Sequence, residues 1–244
     1  MKNQWFGDIH DFRKYGLLCY LAKYYDEILV DWMLTGDIKK TNDGKKIKFA
    51  NRKYYWAPAK SGEIQKEIWN FFNKFHHSEP RQKREVSRAV DIFALDIFSQ
   101  SHRKCNFITS SDENWELKKT DPLDKNSLMF FDADNGIADD INRKTIAGNN
   151  NPYIYSDEIK SAFSEGHDIL VYQHIPRMTL DKLIDEKRSI LKKTTSNSTL
   201  IFKAGGVVYF LLLHDNGVAA NIRRGFRDAR FTNAYLSIVD EYSR

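Results

Sequence analysis

The chain holds 244 residues with 38 Lys plus Arg against 33 Asp plus Glu, a formal charge of +5, and is 41% hydrophobic and 14% aromatic with only 5 Pro and 12 Gly. That balance excludes disordered, collagen-like and low-complexity chains and suits one α/β domain, with or without an insertion. The mild positive charge is compatible with a nucleic-acid partner without requiring one.

Cys19 and Cys105 lie far apart in the sequence and match neither a disulfide framework nor a zinc pattern, so both are expected to be reduced and buried. No stretch reaches the ~18 apolar residues of a membrane span, and the first residues lack a signal peptide's apolar run, which predicts a cytoplasmic protein with no membrane partner.

The first dense segment runs from Gly7 to Leu18 (GDIHDFRKYGLL). Apolar spacing predicts a helix over 11–24, on which His10 and Lys14, four apart, share a face with Asp11 within one turn. A phosphate or acidic ligand could be gripped there. Capping of the helix by Asp8 explains that acid alone, not the His, Arg and Lys beside Phe12 and Tyr15.

Residues 28–35 (ILVDWMLT) read as a buried strand, 39–48 as a loop around the turn Asn42-Asp43-Gly44, and 62–75 and 81–98 as helices. The mainly helical stretch 47–98 is expected as an insertion within a single domain spanning 1–244. His76 and His77 are adjacent, hence about 100° apart on a helix, and are expected at the surface rather than on a metal. A weaker strand follows at 105–109, then a loop at 118–126, a strand at 127–132 and a loop at 141–152. A helix at 156–165, a strand at 168–174 and a helix at 179–193 come next, before two strands, 199–204 and 207–214, joined as a hairpin by Gly205-Gly206. The fold class is therefore α/β, a mostly parallel sheet with a C-terminal antiparallel hairpin and helices on both faces, and this order of elements resembles the Rossmann-like sheet of the class I methyltransferases, which also finishes in such a hairpin.

Strand ends carry the chemistry. In open α/β sheets ligands bind outside the carboxyl ends of the strands, where Phe131 here runs into Asp132-Ala133-Asp134-Asn135-Gly136. Asp132 and Asp134 could hold a divalent cation such as Mg²⁺; Asp132 could instead accept from an exocyclic amine with Asn135 on a base edge, or the run could simply turn. The next such end offers His174 as a general base or metal ligand and Arg177 beside it, unless His174 only closes the strand. Arg223 and Arg224, in a run of four arginines and two aromatics over 221–231, suit phosphate clamping and base stacking, against a solvated loop of ion pairs.

The run His10-Asp11-Phe12-Arg13-Lys14-Tyr15 resembles the His-Ala-Asp-x-x-Lys-His segment of the bacterial large-subunit ribosomal RNA adenine-N6 methyltransferases, within the class I S-adenosylmethionine-dependent methyltransferases. Asp132-Ala133-Asp134-Asn135 then stands where that family carries Asp-Pro-Pro-Tyr. The resemblance implies methyl transfer from S-adenosylmethionine to an adenine amine of RNA or DNA, with Asp132 as the catalytic acceptor and His10 and Lys14 forming the cofactor site. Beside it, the reading of the residues themselves adds Asn135 and His174 as catalytic candidates, Asp31 and Thr35 at the first strand end as cofactor-binding candidates, and Arg177, Arg223 and Arg224 as nucleic-acid-binding candidates. Two alternatives stay open: a Mg²⁺-dependent nuclease or phosphoesterase on Asp132 and Asp134, and a nucleic-acid-binding module whose cofactor pocket has decayed. The decay reading rests on Gly36 being the one glycine after the first strand, where methyl-donor loops usually offer several.

Overall fold

The computed structural model describes residues 9–31, 33, 106–109, 126–139, 153–194, 196, 198–228 and 236–239. Over these residues the chain forms α1 (Ile9–Leu21), β1 (Glu27–Asp31), β2 (Asn106–Thr109), β3 (Ser127–Phe131), β4 (Gly136–Ala138), β5 (Tyr153–Tyr155) and α2 (Ser156–Ser164). There follow β6 (Asp168–His174), α3 (Leu180–Leu191), β7 (Ser198–Ala204), β8 (Val207–Leu213), α4 (Asn216–Asp228) and β9 (Ser237–Val239).

Seven of the strands make one sheet in the order β2-β1-β3-β6-β8-β7-β9. The strands β2, β1, β3 and β6 run parallel. β8 is antiparallel to both β6 and β7, which returns β7 to the direction of the parallel core, and β9 is antiparallel to β7. The glycine-paired hairpin read in the sequence is therefore present, with Gly205 at φ 63°. Only a residue without a side chain is comfortable there. The guanidinium of Arg13 also lies where a Cβ on Gly205 would go, and its Nη1 donates to Ala204 O at 3.4 Å.

Side chains alternate between the two faces of the sheet, as a period of two requires. On one face Ile28, Val30, Leu128, Phe130, Leu170, Tyr172, Tyr209 and Leu211 pack beneath α1 and α4. On the other, Leu29, Met129, Phe131, Ile169, Val171 and Phe210 pack against Ile159 and Phe163 of α2 and Leu183 and Ile184 of α3. Helices therefore cover both faces, and strands buried on both sides read as the continuous apolar runs found in the sequence. Thr179 starts α3 by accepting from Lys182 N at 3.4 Å.

The N-terminal edge of the sheet is tied by polar side chains. Tyr25 donates to Asp168 Oδ2 at 2.9 Å, and Asp168 Oδ1 also bonds the main chain and the Nδ1 of His214, both at 2.9 Å. His214 stacks on Phe163 with ring centroids 3.7 Å apart. Ser127 Oγ meets His167 Nδ1 at 2.6 Å nearby.

One reading is corrected and two alternatives are sharpened. The first strand ends at Asp31, short of Thr35, because Asp31 Oδ1 accepts from Met33 N at 3.1 Å and Met33 sits at φ 22°, so the chain has already turned. Arg223 and Arg224 lie on a helix, α4, not in a loop: Val218, Ala219, Ile222 and Phe226 recur at helical spacing and face the core. Gly136, read as part of a turn, also opens β4, which pairs parallel with β5 in a small second sheet.

Cys19 is buried and unoxidised. Cys105, His76, His77 and the segment 47–98 expected as a helical insertion lie outside the described residues. Among the described residues no helix is long and apolar enough to cross a membrane.

Candidate functional site

The helix α1 brings its first half over the carboxyl ends of the central strands, and the side chains that meet there are charged. Lys14 Nζ donates to Asp132 Oδ2 at 2.7 Å and to Asp11 Oδ1 at 3.2 Å. Lys14 is 4% exposed and Asp132 2%, so this is an interior ion pair and not a surface one. The ammonium also lies 5.3 Å from the centroid of the Tyr172 ring, whose negative face suits a cation. Tyr172 is edge-on to Tyr209, its cross-strand partner. The Tyr209 hydroxyl is buried and makes no hydrogen bond among the described residues.

The ionisation of this cluster follows from its inventory. Burial alone would lower the Lys14 ammonium, but the carboxylates of Asp132 and Asp11 outweigh it and hold Lys14 well above the ordinary lysine value. Burial pushes the Asp132 carboxyl up, against the opposing pull of Lys14. The two directions are compatible, because one ammonium faces two carboxylates and cannot fully compensate both. Lys14 stays charged, and Asp132 takes a proton more readily than a solvated aspartate does. Burial likewise raises the Tyr15 and Tyr209 phenols far out of their ordinary range.

His10, one turn before Lys14, is driven the other way. Burial, then the charges of Arg13 and Lys14, lower it from 6.5 to about 4, and His174 acts in the same direction from the end of β6. His10 is therefore neutral at physiological pH and able to accept a hydrogen bond. Its folded value lies below its unfolded one, so the stability it contributes is present above about pH 6.5 and is lost as pH falls toward 4. The difference corresponds to about 3 kcal/mol. Urea denaturation of the wild type should show a loss of that order between neutral and acid conditions in excess of the loss in His10→Gln. Equal losses in the two proteins would contradict it.

The structure joins His10, Lys14, Asp132 and His174 at one edge. Asp31 belongs to the same edge, since Asp132 N donates to Asp31 O at 2.9 Å across the β1 and β3 ends. Asp134 is half-buried and Asn135 exposed on the loop after Asp132, and Arg177 is exposed just beyond β6. Arg223, half-buried, and Arg224, exposed, are set apart from these groups, on α4. That helix packs on the second half of α1, where Tyr20 donates to Ile222 O and meets Phe226 edge-on. Thr35 lies outside the described residues.

Sequence reasoning missed three participants. Tyr172 and Tyr209 beneath Lys14 were legible only as apolar strand positions. Gln173, 3% exposed, was passed over within its strand, yet its amide bonds the loop after Asp132. Arg13 was counted as part of a basic group, whereas it holds the hairpin turn.

Among the described residues no group of three or more His, Cys, Asp or Glu is arranged to hold a metal ion. Asp132 already meets a resident ammonium, which would compete with a divalent cation for the same oxygen. Compared with protein-family models, with curated proteins and with solved structures, the chain matches none.

Proposed function

We propose that this chain is a methyltransferase of the class I type that acts on an adenine amine of nucleic acid, with Asp132 at the reacting nitrogen. The observation that carries the reading is the buried Lys14 to Asp132 pair, 2.7 Å long, at the carboxyl end of β3. It joins the two segments, 118 residues apart, on which the resemblance to that family rests. The strand arrangement supports it: β8 lies antiparallel between β6 and β7, similar to the hairpin that finishes the sheet of class I methyltransferases, with β9 as an additional antiparallel edge strand.

The chain's own groups suit the chemistry. An amine that gains a methyl group must lose a proton, and a carboxyl raised above its usual range is a better acceptor than a solvated one. Lys14 fixes the orientation of that carboxyl and stabilises its charged form. His10, held neutral, and Asp31 at the end of β1 are the residues that would hold the methyl donor. The acidic edge of Asp31 and Asp132 fits a ligand carrying an ammonium and a sulfonium. When bound, S-adenosylmethionine supplies the electrophilic methyl group. Arg177, Arg223 and Arg224 would bind phosphates, Asn135 is placed to meet a base edge, and His174 stands at the rim.

The test is incubation with S-adenosylmethionine labelled in its methyl group and with RNA and single- and double-stranded DNA, followed by digestion and nucleoside analysis. N6-methyladenine is expected from one of these substrates. Label in no nucleoside, from protein that binds the same nucleic acids, would overturn the reading.

Binding itself carries a separate expectation. Arg223→Ala and Arg224→Ala should each weaken association with a labelled oligonucleotide by a similar factor for every sequence. Each should also reduce the slope of log affinity against log salt by about one, as expected for a lost phosphate contact. Fluorescence anisotropy over a salt series measures this, and an unchanged slope would remove the two arginines from the interface.

A further inference from the structure

The loop that carries Asp132 is held from two sides. From the α1 face Lys14 holds the carboxylate. On the opposite face Gln173, which follows the same side of β6 as Val171 and Ile169, reaches the main chain of the loop. Its Oε1 accepts from Ile137 N at 2.8 Å, and its Nε2 donates to Asn135 O at 3.1 Å and to His174 O at 2.7 Å. One side-chain amide therefore bonds both ends of the Asn135-Gly136-Ile137 turn and also the strand end that carries His174.

The turn is shaped to receive that amide. Gly136 is at φ 85°, in the region that favours glycine, and a Cβ there would overlap the Gln173 amide. Gly136 N donates to Ala133 O at 3.3 Å, so the constraint passes back along the loop to within one residue of Asp132. A buried amide with its acceptor used once and its donor group used twice is close to saturated. A hydrophobic residue of the same size would leave the buried Ile137 N and the part-buried Asn135 O without this partner.

We propose that Gln173 is the positioning residue of the site: its amide fixes the Asp132 to Ile137 loop against β6, and so sets the carboxylate of Asp132 against Lys14. This rests on the methyltransferase reading only for its consequence in turnover, because the placement of the carboxylate can be measured without substrate. The Gln173 amide bonds main-chain groups and not the Lys14 or Asp132 side chain, so its effect is transmitted through the loop.

The experiment compares wild type with Gln173→Met, which keeps the bulk and loses every bond. Protein labelled with ¹³C at the aspartate carboxyl is titrated by NMR, the Asp132 resonance being assigned by its absence in Asp132→Asn. Groups that interact with this carboxyl include Lys14, Asp11 and Tyr15 from α1 and Tyr209 from β8, and all are retained in the variant. When the loop loosens, Asp132 leaves its fixed place against Lys14 and its titration departs from that of the wild type. In parallel, kcat for methyl transfer falls roughly 10- to 100-fold with the KM for the methyl donor unchanged, as expected for misplacement of a reacting group.

Gln173→Glu, which keeps an acceptor for Ile137 N but repels the two carbonyls, should show the same change and replaces Gln173→Met if that variant does not fold. An Asp132 titration that superposes on wild type in a folded variant, whatever its melting temperature, would overturn the proposal and leave Gln173 a stability element. A shifted titration in a protein whose wild type transfers no methyl group would uphold Gln173 as the positioning residue and overturn the proposed function alone.

Discussion

Lys14→Met is expected to lower the free energy of unfolding by about 3–5 kcal/mol, the range for removing one partner of a buried ion pair. The cost arises from what remains. Asp11 and Asp132, 4% and 2% exposed, would be left as two interior carboxyls without the ammonium that now lies 3.2 and 2.7 Å from them. A domain commonly has only about 5–15 kcal/mol of stability, so the variant should unfold at a markedly lower urea concentration.

The double variant Lys14→Met with Asp132→Asn should recover a substantial part of the loss, since it removes one of the orphaned charges. Because Lys14 is held above its ordinary value when folded, its contribution is complete below the usual lysine range and fades only as pH rises beyond it. A Lys14→Met loss below about 1 kcal/mol would mean that the pair is solvated like a surface pair.

Asp132→Asn separates chemistry from stability. The substitution preserves shape and leaves Lys14 its bond to Asp11, and the carboxyl it removes is one that burial already disfavours in its charged form. Unfolding free energy should therefore change by no more than about 1 kcal/mol. Methyl transfer should fall by at least about 100-fold, the lower part of the range for losing a positioned proton acceptor. The check is single-turnover transfer of labelled methyl to nucleic acid alongside urea denaturation. Retained transfer would remove Asp132 from the reaction. Lost transfer together with unfolding would make the residue a structural anchor.

The central architecture was legible because burial on both faces leaves a plain mark. The runs at 127–132 and 168–174 and the glycine-paired hairpin became β3, β6 and the β7 to β8 turn nearly as bounded. The strand end at Asp132 was legible for the same reason, as an apolar run that stops abruptly in acids. The end of β1 was not. Trp32-Met33-Leu34 continues the apolar pattern, and only the Asp31 side chain, by capping the turn at Met33, ends the strand.

Helix α4 was obscured because Gly217 and Gly225 weaken helix propensity, while its apolar stripe of Val218, Ala219, Ile222 and Phe226 is narrow. Gly225 has a packing reason, since a side chain there would overlap the hydroxyl of Tyr24, three residues past the end of α1. In the site, the motif resemblance gave Lys14 and Asp132 to one site but did not foresee their ion pair, which no local pattern could supply across 118 residues. The role of Tyr172, Tyr209 and Gln173 was hidden for a different reason. Polar tips on strand residues are read as strand until a neighbouring element shows what they face.

The most direct measurement is calorimetric titration of the intact chain with S-adenosylhomocysteine, the product form of the methyl donor, for wild type and for Asp31→Ala. Equimolar binding to the wild type, weakened about tenfold or more by Asp31→Ala, is the predicted result and corresponds to at least about 1.4 kcal/mol of lost contact. No heat of binding from folded wild-type protein at millimolar ligand would contradict the claim that the edge joining α1, β1 and β3 is a methyl-donor site.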